Sequence, residues 1–168
     1  MGSQFMPKDG VHMMIGNRRY AFVGLAAVAL ALPVWAAAGD EGSIGTVKVA
    51  KGGVTILRGS QKLAAAPGAT LQVADRVLTA ADGAVGITLR DNTLLSAGPN
   101  SSLSLDKFAF NSTTHAGAMD TSLKRGTLSV VSGKIAKQSP ESVRFSTPTT
   151  TLGVRGTEFV IEAAGTED

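Results

Sequence analysis

Hydrophobic residues recur at every second position, in short runs, throughout the chain after residue 38. Turn-forming pairs such as Asp82-Gly83 and Asp91-Asn92 bound these runs. Alternation with a period of two is typical of half-buried strands, whereas an amphipathic helix repeats at about 3.6 residues. The pattern therefore predicts an all-β domain of many short strands and no helix after residue 38. The clearest runs are residues 46–49, 54–58, 84–90, 102–106, 127–131, 142–145 and 158–161.

Two β architectures fit this pattern. A β-sandwich would use Asp82-Gly83 and Asp91-Asn92 as hairpin turns. A solenoid-like stack would need similar rungs, and the segments starting at Gly45 and Gly126 share only a loose echo, a Gly-Thr pair followed by alternating apolar residues. Residues 109–122 interrupt the alternation, so we predict a surface loop or a long turn there.

An uninterrupted apolar segment, Tyr20–Ala38, precedes the strand pattern. It follows Arg18 and Arg19, and Ala36 and Ala38 stand where an A-x-A cleavage site would place small residues. A basic start, an apolar stretch and a small-residue end predict a secretory signal peptide. The alternative is a retained anchor helix. We therefore expect a leader and signal peptide over residues 1–38, and an all-β domain over 39–168 that is periplasmic or secreted and touches the membrane only through an uncleaved signal.

The charge of the chain argues against nucleic-acid binding. Its formal net charge is +3, from 16 Lys and Arg and 13 Asp and Glu, and residues 1–38 hold three of the basic residues and one of the acidic ones. The remainder is almost neutral, which is unlike a surface that binds a polyanion.

The residue types needed for catalysis or metal binding are scarce. The chain has no cysteine, and residues 39–168 contain a single histidine, His115. Ser112, His115 and Asp120 could be combined into a triad on paper, but a triad is defined by geometry and nothing in the sequence fixes one. Metal sites need several converging ligands. We therefore expect no enzyme activity, no metal and no cofactor.

The chain from about residue 44 to 162 resembles the FecR domain family. Three blocks carry most of the resemblance: residues 68–79, residues 89–103 and, most closely, residues 147–160. Ala74 and Asn92 stand where the family usually has glycine. The residues that match the family motif, with a structural or a partner-contact role, are Asp75, Thr79, Asp91, Gly153, Arg155, Gly156, Thr157 and Phe159.

Several of these residues suit turns. Asp75 and Asp91 at strand ends can accept backbone N–H groups, and Asn92 tolerates the left-handed conformation. Gly153 and Gly156 would permit close backbone approach or a positive φ. For Arg155 two interpretations remain: a clamp for an anion or a partner carboxylate, or a structural arginine that bonds turn carbonyls or pairs with Asp75 or Asp91.

The resemblance implies a solenoid-like all-β fold and a role in envelope sensing. FecR-type proteins join a cytoplasmic anti-sigma segment, through the inner membrane, to a periplasmic domain that contacts an outer-membrane transporter. Here fewer than 20 residues precede an apolar segment that looks cleavable, so we expect a stand-alone exported FecR-domain protein.

Two functions follow as hypotheses. The first is a protein-interaction module in envelope signalling or assembly, whose envelope protein partner would bind an exposed sheet edge or the 109–122 loop, with Phe108, Phe110 and His115 as candidate contacts. The alternative is a structural domain that binds cell wall or polysaccharide through the Ser and Thr rows at 101–104 and 111–114. The scarcity of aromatic residues disfavours glycan binding.

Overall fold

The computed structural model describes residues 42–153 and 158–165, and these residues form mostly β-structure. The all-β fold class is therefore confirmed. In chain order the strands are β1 Ser43–Lys51, β2 Val54–Arg58, β3 Gln61–Ala64, β4 Thr70–Gln72, β5 Arg76–Thr79, β6 Ala84–Leu89, β7 Leu94–Ala97, β8 Ser102–Phe110, β9 Gly117–Val131, β10 Val143–Ser146, β11 Thr151–Gly153 and β12 Glu158–Ala163. A short helix, α1 Lys134–Gln138, and one 3-10 turn, Pro140–Ser142, separate β9 from β10.

The long strand β9 joins two halves of one sheet. Its first half pairs with β8 on one side and β10 on the other, and its second half pairs with β7 and β12. The first half of the sheet continues outward through β5, β2 and β3, and the second through β6, β1 and β4. Gly126 lies where β9 passes between the two halves, with φ +91, and a Cβ there would lie 2.2 Å from the Ser101 hydroxyl. Only glycine fits this position without strain.

The pairing distinguishes between the two predicted architectures. Every strand pair in the described residues is antiparallel except β9 with β10. A solenoid of stacked rungs would require parallel pairing between equivalent strands, so the solenoid-like expectation is wrong for this part of the chain. The strands form a curled antiparallel sheet, and because β9 belongs to both halves the sheet is continuous rather than divided into two as in a simple sandwich.

A single aliphatic core lies between the two halves of the sheet. Alternate positions of the strands are buried, as in β6, where Val85, Ile87 and Leu89 point inward. Strands from both halves contribute to one continuous cluster, and Phe145 is the aromatic residue that the described core buries completely. The period-two alternation therefore reports real burial.

The predicted loop over residues 109–122 is wrong, because most of it is strand. β8 runs to Phe110 and β9 starts at Gly117, so only residues 111–116 form the connecting turn. The Asn111 side chain closes this turn by accepting the N–H groups of Thr113 and Thr114 at 2.9 and 3.0 Å. Small and polar residues on both strands leave little hydrophobic contrast, and the strands form because they pair with each other.

The prediction of no helix after residue 38 is also wrong, since α1 is present. It contains five residues and buries one of them, Ile135. So short a segment shows no measurable helical period in the sequence. Contacts with the rest of the domain, described below, hold it in place.

The predicted signal peptide and the leader, residues 1–38, lie outside the described residues, as does the proposed domain start at Gly39. Within the part of the chain that the structure describes, no helix is long and apolar enough to cross a membrane.

Candidate interaction surfaces and the family motif

Asp75 lies at the start of β5 and is completely buried. Its Oδ1 accepts Arg58 Nε at 2.9 Å, and its Oδ2 accepts Arg58 Nη2 and the Gln72 N–H, both at 2.8 Å. Arg58 Nη2 also donates to the Thr70 carbonyl at 2.9 Å. The hydrogen bond with Asp75 raises the pKa of Arg58. This bidentate pair ties the end of β2 to the turn between β4 and β5, so Asp75 has a structural role.

Arg58 is a site residue that sequence reasoning missed. It lies 17 residues before Asp75, and no local spacing relates the two. They meet because β2 pairs with β5, with Leu57 opposite Arg76. One sequence signal could have identified Arg58. It is a single arginine at the end of an apolar run, followed later in the chain by an aspartate at the start of a strand that pairs with that run.

Ala74, where the family usually has glycine, has φ +69. Its side chain is exposed, and its N–H donates to the Leu105 carbonyl at 2.8 Å. The turn before β5 therefore needs the left-handed conformation, which costs an alanine about 1 kcal/mol or more.

Asp91 organises the turn between β6 and β7 and is completely buried. Its Oδ1 accepts the Thr93 N–H at 3.0 Å, while Oδ2 accepts the Thr93 hydroxyl at 2.7 Å and the Ile135 N–H at 3.4 Å. The Lys134 N–H donates to the Asp91 carbonyl at 2.8 Å. Asn92 has φ +68, the left-handed conformation expected of it. Asp91 therefore fastens α1 to the β6–β7 hairpin.

Thr79 and Phe159 also have structural positions. The Thr79 hydroxyl donates to the Gly98 carbonyl at 2.6 Å and accepts the Ser101 N–H at 2.8 Å, joining the end of β5 to the start of β8. The Phe159 ring meets Phe145 edge to face, with centroids 5.2 Å apart. Both residues hold neighbouring strands together, which gives them a structural role; Thr79 is buried and Phe159 is half-buried.

The end of the motif lies partly outside the described residues. Arg155, Gly156 and Thr157 fall within the undescribed residues 154–157. Gly153 ends β11 and does not have a positive φ, and a Cβ added to it would meet no atom of the described residues within 4 Å. The expected left-handed backbone at Gly153 is therefore wrong, and no close approach within the described part of the chain requires a glycine there.

The candidate contact residues of the 109–122 segment differ in their exposure. Phe108 and Phe110 are half-buried and pack against the core, with their ring centroids 6.5 Å apart. His115 is exposed in the turn, has φ +60 and stacks on Phe110 with centroids 6.3 Å apart. His115 is the most exposed of the three candidates, and the two half-buried phenylalanines offer less surface to a partner because they pack against the core.

The serine row at 101–104, which the glycan-binding hypothesis requires to be accessible, is not exposed to solvent. Ser101, Ser102 and Ser104 are all buried. The Ser101 hydroxyl bonds backbone carbonyls and accepts the Thr127 N–H at 3.1 Å. Residues 111–114 are exposed, but they form one tight turn.

Strand β12 forms an edge of the sheet. In the described part of the chain it pairs with β9 alone, in an uninterrupted register from Glu158 opposite Val131 to Ala163 opposite Gly126. Ile161 and Ala163 face the core, whereas Glu158, Val160 and Glu162 face outward, and Val160 is 65% exposed. β12 has six residues, whereas the other described edges, β3, β4 and β11, have three or four.

The comparison with protein-family models agrees with the sequence motif. The model described as FecR protein matches residues 75–168, which is more than half of the chain and begins at Asp75. No curated protein and no solved structure matches the chain. Among residues 42–153 and 158–165, no group of three or more His, Asp or Glu side chains is placed to hold a metal ion. On the strength of the family match, this chain belongs to the FecR protein family.

Proposed function

We propose that this FecR-family chain is an exported, non-catalytic protein-interaction module that acts in the periplasm in envelope signalling or assembly. FecR domains are generally envelope-associated, and the family is related to envelope signalling. The proposal extends this general role to binding of an envelope protein.

The observation that carries the proposal is the edge of β12, which pairs with no described strand other than β9. Backbone N–H and C=O groups on an unpaired edge can bond an added strand, which is a common mode of peptide recognition. The edge is regular, and Val160 offers apolar surface beside it. The motif residues in the described part of the chain, by contrast, make contacts within the domain: these are Asp75, Asp91, Thr79 and Phe159.

The His115 turn is the second candidate contact within the same function. Its exposed imidazole stacked on Phe110 could meet a partner loop. Phe110 itself is a poor site for a test substitution, because it packs against the core and its loss would destabilise the domain. His115→Asn is the better variant, since asparagine tolerates a positive φ.

Affinity capture tests the proposed function. The tagged full chain, in mild detergent, is incubated with detergent-solubilised envelope, and bound material is analysed for both protein and glycan. We expect a stoichiometric envelope protein. Muropeptide or polysaccharide bound without any protein would contradict the proposal and support the cell-wall-binding alternative.

The same capture with His115→Asn distinguishes the turn from the sheet edge. If the partner binds at β12, this variant retains it. Loss of the partner, with an unchanged melting temperature, would assign the contact to the turn.

A further inference from the structure

We propose that the β12 edge binds an extended protein segment in which basic, apolar and basic residues occupy alternate positions. This inference rests on the proposed function, because it assumes that the domain binds a protein, and it names the chemistry of the segment bound. The charge and spacing of the exposed side chains on β12 carry it.

Of the features that usually prevent strand addition, the β12 edge has only charged side chains, those of Glu158 and Glu162. Natural edges are blunted by short length, charged side chains (lysine above all), prolines or bulges. β3 contains Lys62, and β4 and β11 have three residues each. β12 contains neither lysine nor proline, and its pairing with β9 has no register shift.

The outward side of β12 carries two carboxylates around an apolar centre. Glu158, Val160 and Glu162 lie two residues apart and therefore share one face of the sheet. On β9, Glu158 lies opposite Val131 and Glu162 lies opposite Thr127, so neither has a basic cross-strand neighbour. The described residues contain one salt bridge, between Arg58 and Asp75, which involves neither glutamate.

The apolar centre is exposed because its cross-strand neighbour is small. Val160 lies opposite Ser129, which in turn lies opposite Ser96, and Ser96 lies opposite Gly86. Val160 lies at the end of this line of cross-strand neighbours, and because the neighbouring side chains are small, it is 65% exposed. An apolar residue of an added strand, placed opposite Val160, would cover it.

The charges disfavour a second copy of the same strand. Antiparallel self-pairing centred on Val160 places Glu158 of one copy opposite Glu162 of the other, twice, and like charges directly opposite each other are destabilising. A segment with lysine or arginine two residues before and after an apolar residue, in the same antiparallel register, places a cation opposite each glutamate. The edge therefore selects a basic-apolar-basic strand over its own.

Synthetic peptides test the charge pattern on the full chain in detergent. The probe is a fluorescent peptide with the core Lys-Thr-Val-Thr-Lys, and the matched control has the core Glu-Thr-Val-Thr-Glu. We expect the lysine peptide to bind about tenfold more tightly, from two favourable cross-strand pairs in place of two unfavourable ones. Equal affinity would overturn the proposal.

A charge-reversed chain is the second arm of the test. Glu158→Lys with Glu162→Lys alters exposed side chains only, so we expect the melting temperature to stay within about 2 °C. The preference should reverse, with the glutamate peptide binding more tightly. A variant that retains the preference for the lysine peptide would place the peptide elsewhere.

Backbone methylation tests strand addition itself. One lysine-peptide analogue is N-methylated at Lys, Val and Lys, and the other at the two threonines. Alternate residues of an added strand direct their N–H groups at the sheet, so one analogue should lose binding and the other retain it. Retention by both analogues would overturn strand addition.

Envelope capture with the charge-reversed chain separates this inference from the proposed function. Capture of a protein by the wild-type chain and its loss with the variant support both. Capture that is unchanged in the variant leaves the protein-binding function in place and overturns the β12 assignment, and capture of no protein contradicts the function itself. A wild-type dimer that dissociates in Val160→Glu would assign the edge to a second copy and overturn the proposal.

Discussion

Replacing Thr121 with valine should stabilise this protein. Thr121 lies in β9, is 2% exposed, and its hydroxyl is the buried side-chain oxygen that finds no hydrogen-bond partner among the described residues. Burying a hydroxyl without a partner costs about 1–3 kcal/mol. Valine has nearly the same shape, suits a strand and removes that cost.

The expected gain in the free energy of unfolding for Thr121→Val is about 1–2 kcal/mol. For a domain of this size, each kcal/mol corresponds to roughly 3–5 °C in Tm. Urea unfolding of the full chain, followed by far-UV circular dichroism, measures the change. The m-value should stay constant if only the native state is affected.

Thr79→Val is the matched control, because the same substitution at a bonded hydroxyl should have the opposite sign. Thr79 is 5% exposed, and its hydroxyl joins the Gly98 carbonyl to the Ser101 N–H. Its removal takes the partner from the buried Ser101 N–H and from the half-buried Gly98 carbonyl, at a cost of about 1–3 kcal/mol. A Thr121→Val chain that is no more stable than wild type would refute the reasoning, since it would mean that the Thr121 hydroxyl is satisfied.

Two further substitutions test the turns of the family motif. Ala74→Gly should raise the free energy of unfolding by about 0.5 kcal/mol, because relief of the left-handed strain at φ +69 exceeds the added entropy of the unfolded glycine; a loss of stability in the same urea assay would contradict this. Asp91→Ala should lower it by about 3 kcal/mol, because the Thr93 and Ile135 N–H groups lose their acceptor. Asp91→Asn, which retains one carbonyl oxygen, should cost less, and an Asp91→Ala chain as stable as wild type would show that the carboxylate bonds are unimportant.

The longer strands can be predicted from the sequence, whereas the short ones cannot. The runs at 46–49, 54–58, 84–90, 102–106, 127–131, 142–145 and 158–161 all fall within or largely within strands of the structure. β4 and β11 contain three residues each, which is too few for an alternating pattern to emerge. They exist because β1 and β10 supply partners for their backbone groups.

Within the candidate site, the sequence predicts only the residues that form turns. Residue type and strand position identify Asp75, Asp91 and Asn92, because local backbone bonding follows from short-range geometry. Arg58 escapes such reasoning because its bond to Asp75 depends on the pairing of β2 with β5. The sequence suggests a surface position for Phe110 and for the serine row at 101–104, although tertiary packing buries the row and half-buries the phenylalanine.

Local patterns in the chain are enough to establish an all-β domain after residue 38 and the presence of the FecR motif, since alternation and turn chemistry are properties that neighbouring residues encode. Long-range packing, in contrast, determines that β9 passes through Gly126 to join two halves of one sheet, and that β12 is left as an edge whose two glutamates pair with no cation among the described residues. Which strands become neighbours depends on burial of a shared core by residues distant in the chain, and no local pattern contains that information.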